Sequence, residues 1–209
     1  VEQLDAREWP SGVRSDWRSH AISVAWETAA CIHACLGHVD AALRLADRSA
    51  DLARQAVPWR IGVPECNVGE ALLESRHHEH ARGLLETSVQ TSRGRDDDQR
   101  AAYGTAVQAR LHLERGHWVE ARAAATPVAE SDHVGPVTRA LAVAVVGRLD
   151  AHVGVPNATA RLRAAWEAVH GSGDRDYLWP VAVACAEDAW LRSHPEEATE
   201  IVIAALAVA

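Results

Sequence analysis

Residues 101–130 read AAYGTAVQARLHLERGHWVEARAAATPVAE, and the fold is predicted from the pattern within them. It contains two runs of good helix-forming residues, rich in Ala, Leu, Arg and Glu, on either side of Gly116. Glycine directly after a helical run is typical of a turn that ends the helix. The stretch therefore predicts two short helices joined by a tight turn at Gly116.

The same pattern recurs along the chain at a nearly constant spacing. Helix turns are predicted at Gly37, Arg76, Gly116, Gly154 and Ser193, which are 39, 40, 38 and 39 residues apart. The residue seven positions before each turn is Ala or Gly, and the residue five positions after it is Ala or Thr. Such small residues let two helices cross closely. A period of about 40 residues indicates an array of helix pairs.

We therefore predict an all-α fold in which about five helix pairs form a right-handed superhelix, an α-solenoid. Residues 1–17 are predicted to be a lead-in, and residues 18–209 a single repeat domain. The five repeats are expected at residues 18–56, 60–94, 97–131, 136–171 and 174–209. One residue conflicts with this pattern, because Pro127 should end or kink its helix near Thr126.

Composition excludes several classes of function. All 21 basic residues are Arg, so a Walker phosphate-binding loop and Schiff-base catalysis, which both need Lys, are excluded. The net charge of -8 argues against nucleic-acid binding, which normally requires a basic surface. Four Cys in 209 residues do not indicate a disulfide scaffold and are typical of a reducing compartment.

The sequence also predicts a cytoplasmic protein without a membrane partner. It has no basic start followed by an apolar core, the pattern of a signal peptide. The longest apolar runs, residues 140–147 and 201–209, are shorter than the roughly 20 residues that span a membrane.

Two segments carry a family resemblance: residues 109–118, ARLHLERGHW, and residues 178–191, LWPVAVACAEDAWL. They resemble the tetratricopeptide repeat, although the units here are longer than its usual 34 residues. They are more similar to the superhelical region of LuxR-type, maltose-regulator-like ATP-dependent transcriptional regulators. Such regulators place a nucleotide-binding domain first, an array of helix pairs second and a helix-turn-helix domain last.

The resemblance extends over residues 18–209, and it implies that the chain is the array alone. In that family the array receives an inducer or a partner protein and is not catalytic. The chain departs from the pattern in one respect, because the aromatic residue near the start of the first helix survives only as Trp26. Two alternatives are a free-standing tetratricopeptide-like adaptor that assembles proteins, and an enzyme built on an array.

The resemblance also implies where a ligand or partner would bind. In such arrays the first helix of each pair lines a concave groove, and residues six and two positions before the turn point into it. The candidate groove residues are Glu70, Glu74, Arg110, Glu114, Arg148, His152 and Glu187. We expect a protein, a peptide or a small-molecule inducer there, with Arg110 and Arg148 contacting an anionic group. The alternative is that these charges only pair with one another as an ionic ladder.

The sequence predicts no catalytic residue, metal site or cofactor. His77, His78 and His80 form a cluster, but their spacing on a helix does not direct all three side chains to one point. Cys31, Cys35 and Cys66 allow a thiolate site, although free cysteines are more often small core residues.

The tryptophans and the last helix suggest further contacts. Helical phase predicts that Trp26, Trp118, Trp166 and Trp190 are core residues, whereas Trp9, Trp17, Trp59 and Trp179 lie near helix ends, available to a partner or an end cap. The final segment, residues 201–209, has no polar outer face. We therefore expect it to be covered by continuing chain or by a second copy, so a homodimer through the terminal repeat is a further hypothesis.

Overall fold

A computed structural model of the chain describes residues 15–171 and 175–208, and the all-α prediction is confirmed. This part contains ten α-helices, one short 3-10 helix and no strand. The helices are α1 (Ser15–Cys35), α2 (Val39–Ala56), η1 (Pro58–Arg60), α3 (Val63–Glu74), α4 (His78–Arg93), α5 (Asp98–Glu114), α6 (Trp118–Ala129), α7 (Pro136–His152), α8 (Ala158–His170), α9 (Arg175–Leu191) and α10 (Pro195–Ala207).

Each odd-numbered helix is joined to the next by a residue with left-handed backbone conformation. These residues are Gly37, Arg76, Gly116, Gly154 and Ser193, with φ of 76°, 65°, 77°, 72° and 66°. At the third turn the N–H of His117 donates to His112 O at 2.9 Å, and the N–H of Gly116 donates to Leu113 O at 3.0 Å. The other four turns repeat these two bonds, which define the Schellman motif. All five predicted turn positions are confirmed.

Small residues allow the two helices of a pair to approach closely, as predicted. A Cβ atom added to Gly147 on α7 would lie 2.5 Å from Leu162 on α8. A Cβ atom added to Gly69 on α3 would lie 3.0 Å from Leu85 on α4. Both glycines lie seven positions before a turn, so this position is restricted by the packing within the pair.

The chain divides into two compact units, residues 1–104 and 105–209. The first unit contains α1 to α4 and the beginning of α5. Within it α3 packs against α1, α2 and α4. Its largest fully buried side chains include Leu72, Leu73 and Leu85. The close contact of α5 with this unit depends on Gly104, because a Cβ atom there would lie 2.8 Å from Val89.

A buried polar network joins four elements of the first unit. The Arg60 side chain enters from η1, forms an ion pair with Glu27 on α1, and donates from Nε to Ser23 Oγ at 3.2 Å. Asn67 on α3 donates to the other Glu27 oxygen at 2.9 Å. Ser49 on α2 donates to Ser23 O at 2.8 Å. Burial is the largest influence on Glu27 and raises the pKa of its carboxyl despite Arg60 and Asn67.

The second unit contains the rest of α5 and α6 to α10. Within it α7 packs against α6, α8 and α9, while α9 also packs against α8 and α10. Asp150 on α7 is buried, forms an ion pair with Arg122 on α6 at 2.7 Å, and accepts a hydrogen bond from Arg161 on α8 at 3.0 Å. This carboxylate therefore links three consecutive helices.

The tryptophan predictions are partly wrong. Trp26 is buried as expected, but Trp118 and Trp190 are 58% and 68% exposed, and Trp166 is half-buried. Trp118 is the first residue of α6, and Trp190 is the last but one residue of α9, so both lie at helix ends. Trp9 lies outside the described residues.

One of the two outcomes predicted for Pro127, a helix end near Thr126, is wrong, whereas a kink there stays a prediction. Helix α6 continues through Pro127 to Ala129 and does not end at Thr126. The ring lies in the last turn, and the residue four positions earlier, Ala123, is exposed. Water can therefore bond the carbonyl that the proline leaves unpaired. The right-handed superhelix and the single array over residues 18–209 stay predictions.

Substitutions at glycine should affect stability with opposite signs in turns and helices. Nothing lies within 4 Å of a Cβ atom at Gly116 or Gly83, so only the backbone distinguishes the two sites. Gly116→Ala should lower the free energy of unfolding by about 1 kcal/mol, because φ is positive. Gly83→Ala, inside α4, should raise it by roughly 0.5–1 kcal/mol. Urea unfolding measures both, and equal signs would contradict this account of the turn.

The buried ion pair should be far more sensitive to truncation than an exposed one. Arg60→Ala leaves the Glu27 carboxylate buried without its charged partner and should cost about 3–5 kcal/mol. Arg82, which bonds the exposed carboxylates of Glu79 and Glu86, is the matched control. Arg82→Ala should cost about 0–1 kcal/mol. Similar losses in the two variants, measured by urea unfolding, would show that the Arg60 network contributes little.

Candidate functional site

Three of the predicted groove residues form one cluster in the second unit. Arg148 and His152 lie one helical turn apart on α7, and Glu187 lies opposite them on α9. Arg148 Nε donates to Glu187 Oε2 at 2.5 Å, and His152 Nε2 lies 2.6 Å from Glu187 Oε1. Both carboxylate oxygens of Glu187 are therefore engaged. This contact joins two first helices of consecutive pairs.

Trp118 extends this cluster, and the sequence analysis missed its role. Its indole stacks on the His152 ring with a centroid distance of 6.2 Å and an interplanar angle of 21°. We call Arg148, His152, Glu187 and Trp118 the α7–α9 cluster. The sequence feature that could have predicted an exposed Trp118 is its place directly after a turn, because the first residue of a helix has few neighbours. Helical phase alone assigned it to the core.

The electrostatics of the α7–α9 cluster favour an ionised Glu187. Partial burial raises the pKa of this carboxyl, but Arg148 and His152 together outweigh burial, and the pKa lies below its ordinary value of 4.5. Glu187 therefore offsets part of the positive charge of Arg148. The Arg148–Glu187 ion pair is the kind of contact that the ionic-ladder alternative predicts.

The other predicted residues have different surroundings. Arg110 donates from Nε to Glu114 Oε1 at 3.0 Å, an i, i+4 pair along α5. Glu70 is buried on α3 and accepts a hydrogen bond of 2.5 Å from the Tyr103 hydroxyl. Glu74 is the exposed last residue of α3. Arg110 and Glu114 therefore pair with each other along α5, and Glu70 joins α3 to α5 through Tyr103.

The α7–α9 cluster retains groups that can bind a ligand. Within the described chain, Arg148 uses only Nε for hydrogen bonding, so its two terminal amino groups have no protein acceptor. Its side chain is 26% exposed. Beside it lie the His152 ring and the exposed Trp118 indole. A planar ligand with a carboxylate or phosphate matches this combination of a guanidinium fork and a stacking surface.

The cysteines and the histidine cluster differ in burial and in surroundings. Over residues 15–171 and 175–208, no group of three or more His, Cys, Asp or Glu side chains is arranged to hold a metal ion. Burial raises the pKa of the Cys66 thiol to about 12, so it stays protonated at neutral pH. Cys31 and Cys35 lie on α1, and Cys35 is exposed.

None of the helices in the described ranges is long and apolar enough to cross a membrane. Comparison of the chain with protein-family models, with curated proteins and with solved structures found no match. The resemblance to tetratricopeptide repeats and to LuxR-type regulators therefore depends on the residues quoted above, and the function that it implies is a proposal.

The lowered pKa of Glu187 predicts a specific pH dependence of stability. Its carboxylate should stabilise the fold above the ordinary pKa of 4.5, and this contribution should be lost as pH falls through the lowered pKa. The difference in unfolding free energy between wild type and Glu187→Gln should therefore be largest above pH 4.5 and shrink on acidification. In an Arg148→Ala background the difference should be smaller at every pH. A difference that grows on acidification would contradict the assignment.

Proposed function

We propose that this chain is a non-catalytic recognition domain built from tetratricopeptide-like helix pairs arranged as a right-handed superhelix. We further propose that it is the sensor or scaffold region of a LuxR-type ATP-dependent transcriptional regulator. Its ligand would be a protein, a peptide or a small-molecule inducer. The chain itself would bind neither nucleic acid nor a cofactor.

The main support is the repetition of one turn. Five left-handed turns, each with the same two hydrogen bonds, recur every 38 to 40 residues in a chain of helices. Such regularity is typical of arrays whose units cannot bury their apolar faces alone and must stack. The resemblance of residues 109–118 and 178–191 to the regulator family then favours the sensor region of a regulator over other kinds of helical array.

The α7–α9 cluster supports ligand binding on the first helices of the array. Arg148 and His152 occupy positions that point toward the bound molecule in tetratricopeptide-like arrays. The Trp118 indole lies directly beside His152. Buried thiols with raised pKa values and the absence of a nucleophile motif in the sequence favour recognition over catalysis. An anionic, partly aromatic ligand agrees best with the chemistry of the site.

A free-standing adaptor is the second candidate, and one observation favours it. Several large apolar side chains are exposed on the described helices, among them Trp17, Ile32, Trp190 and Ile203. Exposed apolar surface of this kind is typical of protein-binding faces. The parent gene discriminates between the two proposals, because a regulator should encode a nucleotide-binding domain before the array and a helix-turn-helix domain after it.

Ligand binding can be tested with defined anionic probes. Aromatic carboxylates, dicarboxylates, sugar phosphates and short peptides with free carboxyl termini are added to the chain, and binding is measured by thermal shift and calorimetry. Arg148→Ala should weaken binding of an active probe roughly tenfold or more, because a hydrogen bond to a charged group contributes about 1.5–3 kcal/mol. The melting temperature without ligand should fall only slightly, because the Arg148–Glu187 ion pair is partly exposed and His152 still contacts Glu187.

The matched control is Arg163→Ala, which removes an exposed guanidinium from α8 in the same unit. This variant should bind the probe as wild type does. Trp118→Ala should weaken aromatic probes more than aliphatic ones. Equal binding by wild type and Arg148→Ala would remove the α7–α9 cluster from the site, and no binding by any probe would favour the adaptor.

A further inference from the structure

The first turn, at Gly37, carries two histidines whose ring nitrogens converge. In each of the five turns a backbone hydrogen bond joins the residue four positions before the left-handed residue to the residue directly after it. An apolar contact between these two side chains commonly accompanies the bond. At the first turn the two residues are His33, in the last turn of α1, and His38, directly before α2. Two imidazole rings therefore replace the usual apolar pair.

The geometry of these two rings is that of two ligands of one metal ion. The Nδ1 atoms of His33 and His38 lie 3.2 Å apart, and the ring centroids lie 5.5 Å apart with an interplanar angle of 47°. Two imidazole nitrogens bound to a tetrahedral zinc ion, each at about 2.0–2.1 Å, are separated by roughly 3.3–3.4 Å. An ion between the two Nδ1 atoms therefore needs only a small outward movement of the rings.

We propose that His33 and His38 bind one divalent transition metal ion through their Nδ1 atoms, with water in the remaining coordination positions. Imidazole nitrogen is a ligand that suits Zn²⁺, Ni²⁺ and Cu²⁺. His38 is exposed and His33 is half-buried, so water reaches the open positions. The ion connects the end of α1 to the start of α2, within the first unit, and takes no part in a reaction.

Metal binding at this pair requires no net loss of protons. In the metal-free pair one Nδ1 atom donates its proton to the other. Neutral imidazole carries its single proton on either ring nitrogen, so the donating ring transfers this proton through water to its own Nε2 when the ion binds. Both Nδ1 lone pairs then point to the ion, and both Nε2 atoms carry protons. The hydrogen bond and the bound ion are therefore alternative states of the same two rings.

Comparison of the five turns favours the first turn for this role. The third turn also carries two histidines, His112 and His117, but their ring centroids lie 6.0 Å apart and the Nδ1 atom of His112 is buried. An ion there would lack open positions for water. The second and fifth turns pair a histidine with Leu72 or Ala189, and the fourth turn has no histidine at either position. The proposed site has two protein ligands, and it is distinct from the groups of three or more that are absent from the described ranges.

Calorimetric titration of the complete 209-residue chain, without an affinity tag, tests this proposal with Zn²⁺, Ni²⁺ and Cu²⁺. The wild type should bind one equivalent of each ion more tightly than any further equivalent, and Cu²⁺ should bind most tightly. Mg²⁺, which prefers oxygen ligands, should not compete. His33→Gln and His38→Gln should each weaken the tight site at least about tenfold, because even the loss of a group that only supports a metal ligand has that effect.

Two matched controls remove histidines from other places. His117→Gln changes the equivalent position of the third turn, and His80→Gln changes an exposed histidine on α4. Both variants should bind each ion as the wild type does. Circular dichroism and melting temperature without metal verify that every variant folds. Zn²⁺ should raise the melting temperature of the wild type and not that of His38→Gln, because an ion that binds the folded chain stabilises it.

Nuclear magnetic resonance of the chain with ¹⁵N-labelled histidines identifies the ligand atoms. Zn²⁺ should shift the Nδ1 resonances of His33 and His38 and leave those of the other histidines unchanged.

Four results would overturn the proposal. A wild type without saturable binding up to millimolar metal would show that the pair forms only a hydrogen bond. Wild-type affinity in His38→Gln, or an equal loss in either control variant, would place the ion elsewhere. Shifts at Nε2 that are larger than those at Nδ1 would show that the converging atoms do not bind the ion.

Discussion

A single residue with left-handed backbone conformation connects the two helices of each pair and determines how they pack. It reverses the chain within a few residues and brings the position seven residues before the turn against the following helix. Gly147 and Gly69 occupy that position, where a methyl group would contact Leu162 or Leu85. The turn is kept even where the residue is Arg76 or Ser193, for which a positive φ is unfavourable. Packing of the pair therefore outweighs the backbone cost.

Charged side chains then fix how consecutive helices contact one another. Arg60 connects η1 to α1 through Glu27, and Asp150 connects α7 to α6 and α8. Such buried groups contribute less to net stability than apolar contacts do, because their charges must leave water. A displaced helix would leave them unpaired, so they favour one register of packing over its alternatives.

The α7–α9 cluster follows from the same repetition. Arg148 and Glu187 lie six residues before successive turns, and equivalent positions of adjacent repeats lie side by side. Their opposite charges therefore meet, and the paired state leaves the terminal amino groups of Arg148 and the Trp118 indole for a ligand. Charge neutralisation and ligand binding are compatible here, because one carboxylate bonds only one edge of the guanidinium.

The helical fold and the five turn positions could be predicted from the sequence alone, and so could the equivalent places of Arg148 and Glu187 on α7 and α9. Periodicity and glycine placement are local signals, and hydrogen bonds within a helix or a turn connect residues close in the chain. The exposure of Trp118 and Trp190, the burial of Arg60 and the hydrogen bond between Glu70 and Tyr103 could not be predicted in this way. Those outcomes depend on which helix lies opposite each side chain, and helical phase identifies a face of a helix but not the neighbour that covers it.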